Sequence, residues 1–435
     1  MRLNRLHLEN FRNFPTLDID FDEHLTVIVG NNGAGKTTIL EAVSIAIGTF
    51  FAGLDGIAGK TVNKKDAHID SYEVGTSDDI QVQFPVVVKA SGTIGKKTVV
   101  WERSLLSSTG RTTIVEAKEL TKCAEKYQKR LRAGDDTLIL PLIAYYGTGR
   151  LWDYHREKAT DAFKVNTRTN GYINSLDGTA NIKLMMNWFK KKTIQKYQRQ
   201  EANQGDLPEL NIVYRAMEAC FQAVTGYDKV KIQYNLNRNE LDVSYSDKNG
   251  GNMRIPLNSL SDGYKGTISL IADIAYRMAV LNPQLLEDVL VETTGIVLID
   301  EADLHLHPIW QQRILSDLSS IFPRVQFIVT THAPAVINSV DSKNLIILEN
   351  NEVYSPNGQI YGKDANSVLL GVMGANERPS PIKEQFVAFY TAIDNQHFDE
   401  ATQILKKLED EIGNDDVELA ACRVKLQLAR FKGGF

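Results

Sequence analysis

The feature that most constrains this chain is a glycine-rich segment, Gly30-Asn31-Asn32-Gly33-Ala34-Gly35-Lys36-Thr37, which matches the pattern G-x-x-x-x-G-K-[ST]. An apolar run typical of a buried strand, Leu25-Thr26-Val27-Ile28-Val29, precedes it. Apolar residues recur at helical spacing directly after it, at positions 39, 40, 43 and 47. A strand, a glycine loop and a helix in this order predict a P-loop, whose backbone N–H groups surround the phosphates of a nucleotide.

Side chains of this segment have separate predicted roles. Lys36 is expected to place a positive charge between the β- and γ-phosphates of ATP, and the Thr37 hydroxyl is expected to be a ligand of Mg²⁺. The other residues of this region that we predict to bind the nucleotide are Asn31, Asn32, Gly33, Ala34, Gly35 and Thr38. The alternative is a plain glycine turn followed by an exposed lysine.

A second apolar strand pattern, at residues 295–299, ends in two carboxylates, Asp300 and Glu301. In a P-loop ATPase, Asp300 would hold Mg²⁺, usually through water, and Glu301 would polarise the attacking water as a general base. The alternative is that two acidic residues simply end a strand and face solvent.

Histidines follow the carboxylates along the chain. His332 comes directly after a third apolar strand pattern at residues 325–329, and we expect it to sense the γ-phosphate; an isolated histidine there would more often be a buried core residue. Lys36, Glu301 and His332 are the predicted catalytic residues. His305 and His307 could suggest zinc, but no third ligand is in register, so structural packing is the favoured interpretation.

A polar turn, Ser261-Asp262-Gly263, lies between the P-loop and the Asp-Glu strand, at the start of a helical pattern. Its hydroxyl and backbone amides could bind a phosphate. An ordinary helix cap would use the same residue types. The position of the turn in the sequence, between the P-loop and the Asp-Glu strand, is the observation that favours phosphate binding.

Composition limits the partners and the compartment. With 49 Lys and Arg against 54 Asp and Glu, the net charge is -5, so affinity for nucleic acid would need a local patch. Residues 183–199 carry six basic residues and no acidic one, with Trp188, Phe189 and Tyr197 interleaved. This stretch either contacts DNA or RNA or is a solvated or protein-facing helix surface.

The sequence favours a cytoplasmic protein. It has three separated cysteines, no signal-peptide pattern and no apolar run long enough to span a membrane.

Together these motifs resemble the ABC-type ATPase heads of the RecF, SMC and OLD group. The segment Asn10-Phe11-Arg12-Asn13-Phe14 looks like the N-terminal element of that group, residues 260–266 like its signature motif, and residues 303–308 like its D-loop. Asp262 stands where transporters have Gly, and no glutamine of the Q-loop type can be placed.

The resemblance implies an α/β fold, with a parallel core sheet and an antiparallel N-terminal sheet. It also implies that Arg12 lies near the nucleotide phosphates, and that ATP is shared between two copies. In such a pair, one copy supplies the P-loop and the other caps the γ-phosphate with Ser261, Asp262 and Gly263. We expect four parts along the chain: an N-terminal head region at 1–150, a helical insertion at 151–225, a C-terminal head region at 226–378, and a helical appendix at 379–435.

A closer resemblance covers nearly the whole chain. Residues 140–152, 361–367 and 373–379 look like segments of the PtuA ATPases of Septu-type anti-phage defence systems, some of them associated with retrons. This resemblance implies head-to-head dimers that build a larger assembly, and a partner nuclease of the HNH type. The chain itself shows no nuclease motif, so cleavage should come from that partner.

Two other functions stay open at this level. In one, the protein is an oligomeric scaffold in which ATP is a structural or inhibitory ligand with little turnover. In the other, it is a RecF-like DNA-repair ATPase, which would bind DNA in an ATP-dependent way without a nuclease partner.

Overall fold

The computed structural model describes residues 1–151, 167–178, 182–246 and 251–432, and it divides the chain into two compact units. The first unit is Met1–Ala365 and the second is Asn366–Phe435. Trp152, which belongs to one of the quoted motifs, and part of the expected insertion at 151–225 lie outside the described residues. The division into four parts stays a prediction.

Strands are confined to the first unit in the described part of the chain. In chain order they are β1 (Arg2–Phe11), β2 (Phe14–Asp20), β3 (Leu25–Gly30), β4 (Ile69–Val74), β5 (Ser77–Val82), β6 (Val86–Ile94), β7 (Lys97–Leu105), β8 (Leu142–Tyr146), β9 (Asp228–Asn235), β10 (Glu240–Ser246), β11 (Asn252–Pro256), β12 (Gly295–Ile299), β13 (Val325–Thr330), β14 (Leu345–Glu349) and β15 (Glu352–Tyr354).

Helices occur in both units. They are α1 (Lys36–Gly48), α2 (Lys118–Arg132), α3 (Ile182–Glu201), α4 (Pro208–Thr225), α5 (Asp262–Leu281), α6 (Val289–Glu292), α7 (Pro308–Gln311), α8 (Ile314–Ile321), α9 (Pro334–Ile337), α10 (Ala365–Gly371), α11 (Ser380–Asp394), α12 (Phe398–Ile412) and α13 (Val417–Lys432). In the described ranges no helix is both long and apolar enough to cross a membrane.

The central sheet has the strand order β15-β14-β3-β13-β12-β8. All neighbours are parallel except β15, which pairs antiparallel with β14. Its strands β3, β12 and β13 are almost wholly buried apolar runs, as expected of a parallel sheet covered on both faces. Ile299 pairs with Val329, and Thr330 pairs with Ile28, so these three strands end at the same edge. Loops at the carboxyl ends of parallel strands form ligand sites in such sheets.

A second, antiparallel sheet has the order β2-β1-β6-β7. Alternating polar and apolar residues at 3–8 and 17–21 predict two antiparallel strands, which are confirmed as β1 and β2. β1 buries Leu6 and Leu8 on the face opposite its exposed side chains. Trp101 of β7 donates a hydrogen bond from Nε1 to the carbonyl of Ala46 in α1, at 2.9 Å. This bond links the antiparallel sheet to the helix that follows the P-loop. With both sheets present, the predicted fold class is confirmed.

Strand patterns at 80–90 and 97–105, bridged by residues 90–95, predict a hairpin here, and the boundaries of its first strand and its turn are wrong. β6 pairs with β7, and the turn falls at Gly95, with a φ of 60°. Ser91 and Gly92 resemble turn residues, but they pair with β1 on one side and β7 on the other. Backbone hydrogen bonds to a neighbouring strand on each side outweigh the low strand propensity of these two residues. Residues 80–82 belong instead to a separate hairpin of β4 and β5.

A buried ion pair ties α5 to the central sheet. The Nε of Arg277 donates to Asp273 Oδ2 at 2.6 Å, and the hydroxyl of Tyr146, at the end of β8, donates to the same oxygen at 2.7 Å. Nη1 of Arg277 also donates to the carbonyl oxygens of Gly171 and Ile173. Burial, with the nearby Asp273 carboxylate, raises the pKa of Tyr146 well above its ordinary value. The phenol therefore stays protonated and keeps donating.

We expect Arg277→Ala to lower the free energy of unfolding by about 3–5 kcal/mol, because the change leaves a buried carboxylate without its cation. The exposed pair between Arg324 and Glu292, at 2.6 Å, supplies the control, and Arg324→Ala should cost no more than about 1 kcal/mol. Urea unfolding followed by circular dichroism measures both. Equal losses in the two variants would contradict the structural role of the buried pair.

The second unit forms its own helical core from α11, α12 and α13. Phe386 and Phe389 of α11 pack with Leu405 and Leu408 of α12 and with Cys422 of α13. Arg378, which precedes α11, donates to both carboxylate oxygens of Asp416 at 3.0 Å and to Glu418 at 3.1 Å. These bonds fix the start of α13 against the start of α11.

Candidate functional site

The loop from Gly30 to Gly35 follows β3 and enters α1 at Lys36. Gly33 and Gly35 have φ values of 81° and 100°, in the region that favours glycine. A Cβ at Gly35 would lie 2.5 Å from Cζ of Phe14, so the loop has no room for a larger residue there. Asn31, Asn32 and Gly33 are exposed at the tip of the loop, Ala34 is partly buried, and Thr38 is buried within α1.

Lys36 is 6% exposed, and its ammonium points back into the loop. Nζ donates to the carbonyl oxygens of Gly30 at 2.9 Å and Asn31 at 3.0 Å. Burial lowers the pKa of Lys36, and the carboxylates of Asp300 and Glu301 counter that effect. The alternative of a plain turn with an exposed lysine does not fit, because the cation is buried and bonded to loop carbonyls.

A hydrogen bond joins the P-loop to the carboxylate that follows β12. Thr37 Oγ1 donates to Asp300 Oδ2 at 2.8 Å, across 263 residues of sequence. The other carboxylate oxygen accepts from Thr330 Oγ1 at 2.6 Å, and Thr330 Oγ1 in turn accepts from the N–H of Glu301 at 2.8 Å. Asp300 is 2% exposed, so this carboxylate is held in place rather than facing solvent.

Glu301 and His332 flank this bond. Glu301 is partly buried and has a φ of 48°, an uncommon conformation for a non-glycine residue, which the bond from its N–H to Thr330 helps to hold. Burial and the nearby Lys36 ammonium lower the pKa of His332, which keeps the imidazole neutral at neutral pH. Thr331 Oγ1 donates to Asp303 Oδ1 at 2.6 Å and so ties the strand before His332 to the D-loop.

These residues fit a magnesium nucleotide by the chemistry of their donor groups. A hydroxyl and a carboxylate, the Mg²⁺ ligands that the sequence predicts, lie in contact, and Mg²⁺ commonly takes one or two protein oxygens together with phosphate oxygens. The Lys36 ammonium lies beside them and is bonded only to loop carbonyls among the described residues.

Arg12 lies next to the loop but bonds to carboxylates. Its Nε and Nη2 donate to Asp66 Oδ1 at 2.9 and 2.7 Å, and Nη1 pairs with Glu41 of α1. The neighbouring Asn13 donates from Nδ2 to the carbonyl of Gly33 at 3.2 Å. The expected contact of Arg12 with the phosphates stays a prediction.

The turn at residues 261–263 packs against the D-loop. A Cβ added to Gly263 would lie 2.6 Å from the carbonyl oxygen of His305, and the ring of Tyr264 lies 4.4 Å from that of Trp310. Ser261 is the N-cap residue of α5 but makes no capping bond through its side chain, and Asp262 pairs with Lys265 at 2.7 Å. Within the described ranges, no hydrogen bond or ion pair joins this turn to the P-loop of the same chain.

The basic stretch at 183–199 lies on α3, and its aromatic residues divide between core and surface. Trp188 and Phe189 are buried, with Trp188 against Tyr276 and Phe189 stacked on a ring of α4, so neither is available to stack on bases. Tyr197 is 55% exposed. Lys192 pairs with an acidic side chain of α4 at 2.8 Å, and Lys196 pairs with Asp206 at 3.1 Å. These contacts favour the alternative of a solvated or protein-facing surface.

Sequence reasoning did not find the threonines that hold the site. Thr330 ends β13, which is the parallel neighbour of β12, and Thr331 follows it directly. The available signal was the pair of apolar strands itself, because polar residues directly after adjacent parallel strands meet at one edge of the sheet. His307, by contrast, accepts a bond from the N–H of Ile309 at the start of α7, which is a structural role.

A P-loop joined to an Asp-Glu strand, on a parallel sheet flanked by an antiparallel one, defines an ABC-type ATPase head. Comparison with known proteins agrees with this assignment. The chain belongs to the AAA domain family, whose pattern matches residues 5–242, more than half of its length.

Three curated relatives match most of the chain. It is similar to the retron Vc95 probable ATPase of Vibrio cholerae serotype O1 biovar El Tor, at 28% identity over 89% of this chain and 82% of the relative. It is similar to the retron Ec83 probable ATPase of Escherichia coli, at 27% identity over 98% and 87% of the two chains. The Septu protein PtuA of Bacillus thuringiensis is 24% identical over 94% and 93%.

Proposed function

We propose that this ATPase binds ATP and Mg²⁺ between two copies of the chain and controls a partner nuclease of the HNH type in anti-phage defence. The observation that carries the ATP chemistry is the Thr37–Asp300 hydrogen bond, which brings two motifs 263 residues apart into one site. The retron ATPases and Septu PtuA support the assignment to defence, because they are similar over most of their lengths.

In this proposal, the chain's own residues bind, orient and accept a proton. The Lys36 ammonium exchanges its two carbonyl acceptors for phosphate oxygens. Glu301 accepts the proton of the attacking water as that oxygen bonds to the γ-phosphorus, and the bridging bond to the β-phosphate breaks to release ADP. Neutral His332 contributes a hydrogen bond at the γ-phosphate. Mg²⁺, when bound, withdraws charge from the phosphate oxygens.

The turn at 261–263 supports a site shared between copies. Gly263 packs against the His305 carbonyl and the neighbouring Tyr264 ring against Trp310 of α7, and within the described residues no hydrogen bond or ion pair joins the turn to its own P-loop. Ser261 presents a hydroxyl that is not used to cap α5. In the proposal, this turn closes on the nucleotide of the other copy, so that binding of ATP favours association and loss of the γ-phosphate weakens it.

We expect Gly263→Ala to weaken ATP-dependent association by about ten- to a hundredfold, because a methyl group must displace the His305 carbonyl and overpacking of this kind costs about 1–3 kcal/mol. Gly371→Ala is the matched control, since a methyl there meets no atom within 4 Å. Light scattering with and without a non-hydrolysable ATP analogue measures association. A wild-type protein whose mass does not respond to the analogue would contradict the shared site.

The nuclease partner needs a separate experiment. If the chain controls an HNH nuclease, a nuclease encoded beside it should co-purify with it, and the nuclease activity of that complex should change with ATP. A nuclease that neither co-purifies nor responds to ATP would remove this part of the proposal and leave the ATPase assignment untouched.

A further inference from the structure

Helix α2 carries a row of lysines on one side. Lys118, Lys122, Lys126 and Lys129, which we call the lysine stripe, are all exposed. At 100° and 1.5 Å per residue they fall within a sector of about 80° and extend about 16 Å along the helix. They therefore form a continuous positive strip on one face.

The opposite face of α2 fixes the helix to the molecule. Leu120 and Ala124 are buried, and the ring of Tyr127 meets that of Phe50 edge-on at 5.8 Å. Phe50 lies in the 3₁₀ segment Thr49–Gly53, which continues directly from α1. Arg132, in the last turn of α2, donates to Asp55 at 2.6 Å. The stripe is therefore displayed on a helix packed against the segment that follows the P-loop helix.

The lysine stripe differs in charge balance from other basic surfaces of the chain. Among the residues that the structure describes, none of its four ammonium groups has a carboxylate within 4 Å. Other basic groups on or beside α2 are paired, Arg130 with Asp135 and Lys97 with Glu119. Two acidic side chains of α2 border the stripe, Glu119 on one side and Glu125 on the other, and Glu119 pairs with Lys97. Four lysines against these two carboxylates leave a net positive strip, unlike α3, where two of the lysines pair with acidic neighbours.

We propose that the lysine stripe binds the phosphate backbone of a nucleic acid without reading its sequence. Lysine is depleted in protein–protein interfaces, whereas its ammonium group binds phosphate as a point charge. Along one strand of duplex DNA, phosphates recur about every 3.4 Å of axis, so a strip of this length faces about five of them. Contacts to phosphate alone fix position but do not select bases.

The proposal is tested by replacing all four stripe lysines with glutamine, which keeps helix propensity. The control variant replaces four exposed lysines that are far apart in the sequence, Lys96, Lys229, Lys343 and Lys406, and so makes the same change in net charge. Binding of a labelled 30-base-pair DNA, an RNA duplex of equal length and a single-stranded DNA is measured by fluorescence anisotropy between 50 and 200 mM salt.

For duplex DNA, the slope of log K against log salt should be about 3 to 4 less steep in the stripe variant than in the wild type. The affinity of the stripe variant at 100 mM salt should be at least about tenfold lower. The control variant should keep the slope of the wild type. Unchanged melting temperature and unchanged basal ATP hydrolysis would show that the stripe variant is folded. Wild-type slope and affinity in the stripe variant, or no binding of any probe by the wild type, would overturn the proposal. So would a stripe variant that loses only self-association, since that result assigns the lysines to an acidic protein surface.

Discussion

Lys36→Ala should raise the Kd for ATP by at least about 100-fold, equivalent to about 3 kcal/mol, because the variant loses charge-assisted hydrogen bonds to two phosphates. The environment of the ammonium increases the effect. Asp300, Glu301 and Asp303 all lie close enough to act on the charge of Lys36. Without the lysine, the phosphates would face these carboxylates with no cation from this position. Isothermal titration with ATP and Mg²⁺ measures the loss.

Measuring the stability of Lys36→Ala distinguishes a loss of ATP binding from misfolding. Burial already disfavours the charged form of Lys36, so the nucleotide-free variant should be as stable as the wild type or more stable. A ligand that binds only the folded state raises the melting temperature. ATP should do so for the wild type and for Lys64→Ala, which changes an exposed lysine, but not for Lys36→Ala. An ATP-induced rise that survives in Lys36→Ala would mean that this loop is not the nucleotide site.

The parts of the fold that the sequence predicted well are those in which local pattern and motif coincide. The segment from Leu25 through α1 is continuous, so its strand, loop and helix follow from short-range apolar spacing. The carboxylates after β12 were also predictable, because a strand that is apolar throughout and ends in charge has few other interpretations. The contact between Asp300 and Thr37 depends on the strand order, which the sheet topology supplies.

The features that sequence did not predict depend on contacts between distant segments. Asp273 and Arg277 are four residues apart on α5, a spacing equally typical of an exposed helix pair. Segments around residues 146 and 171 bury this pair and form hydrogen bonds with it, so that it joins distant parts of the fold. The opposite happened on α3, where a run of lysines suggested a nucleic-acid surface but nearby acids neutralise two of them. Whether a lysine is paired depends on its three-dimensional neighbours, so the sequence alone does not distinguish the lysines of α2 from those of α3.

Glu301→Gln should lower the turnover of ATP by about 10²- to 10⁴-fold while leaving the Kd for ATP within about threefold of the wild type. The amide has nearly the same shape as the carboxylate, and the bond from the N–H of residue 301 to Thr330 Oγ1 does not involve the side chain. The backbone should therefore keep its conformation, and the proton acceptor alone is lost. Steady-state release of phosphate, together with nucleotide titration, separates catalysis from binding.

Glu349→Gln is the matched control, because Glu349 is exposed at the end of β14 and the change in charge is the same. It should hydrolyse ATP like the wild type. The same assay distinguishes a switch from a scaffold. If the wild type and Glu301→Gln both show negligible turnover and both retain nucleotide through purification, ATP is a structural ligand and Glu301 has no catalytic role. If the wild type turns over and Glu301→Gln accumulates an ATP-bound dimer, hydrolysis at Glu301 is the step that releases the two copies from each other.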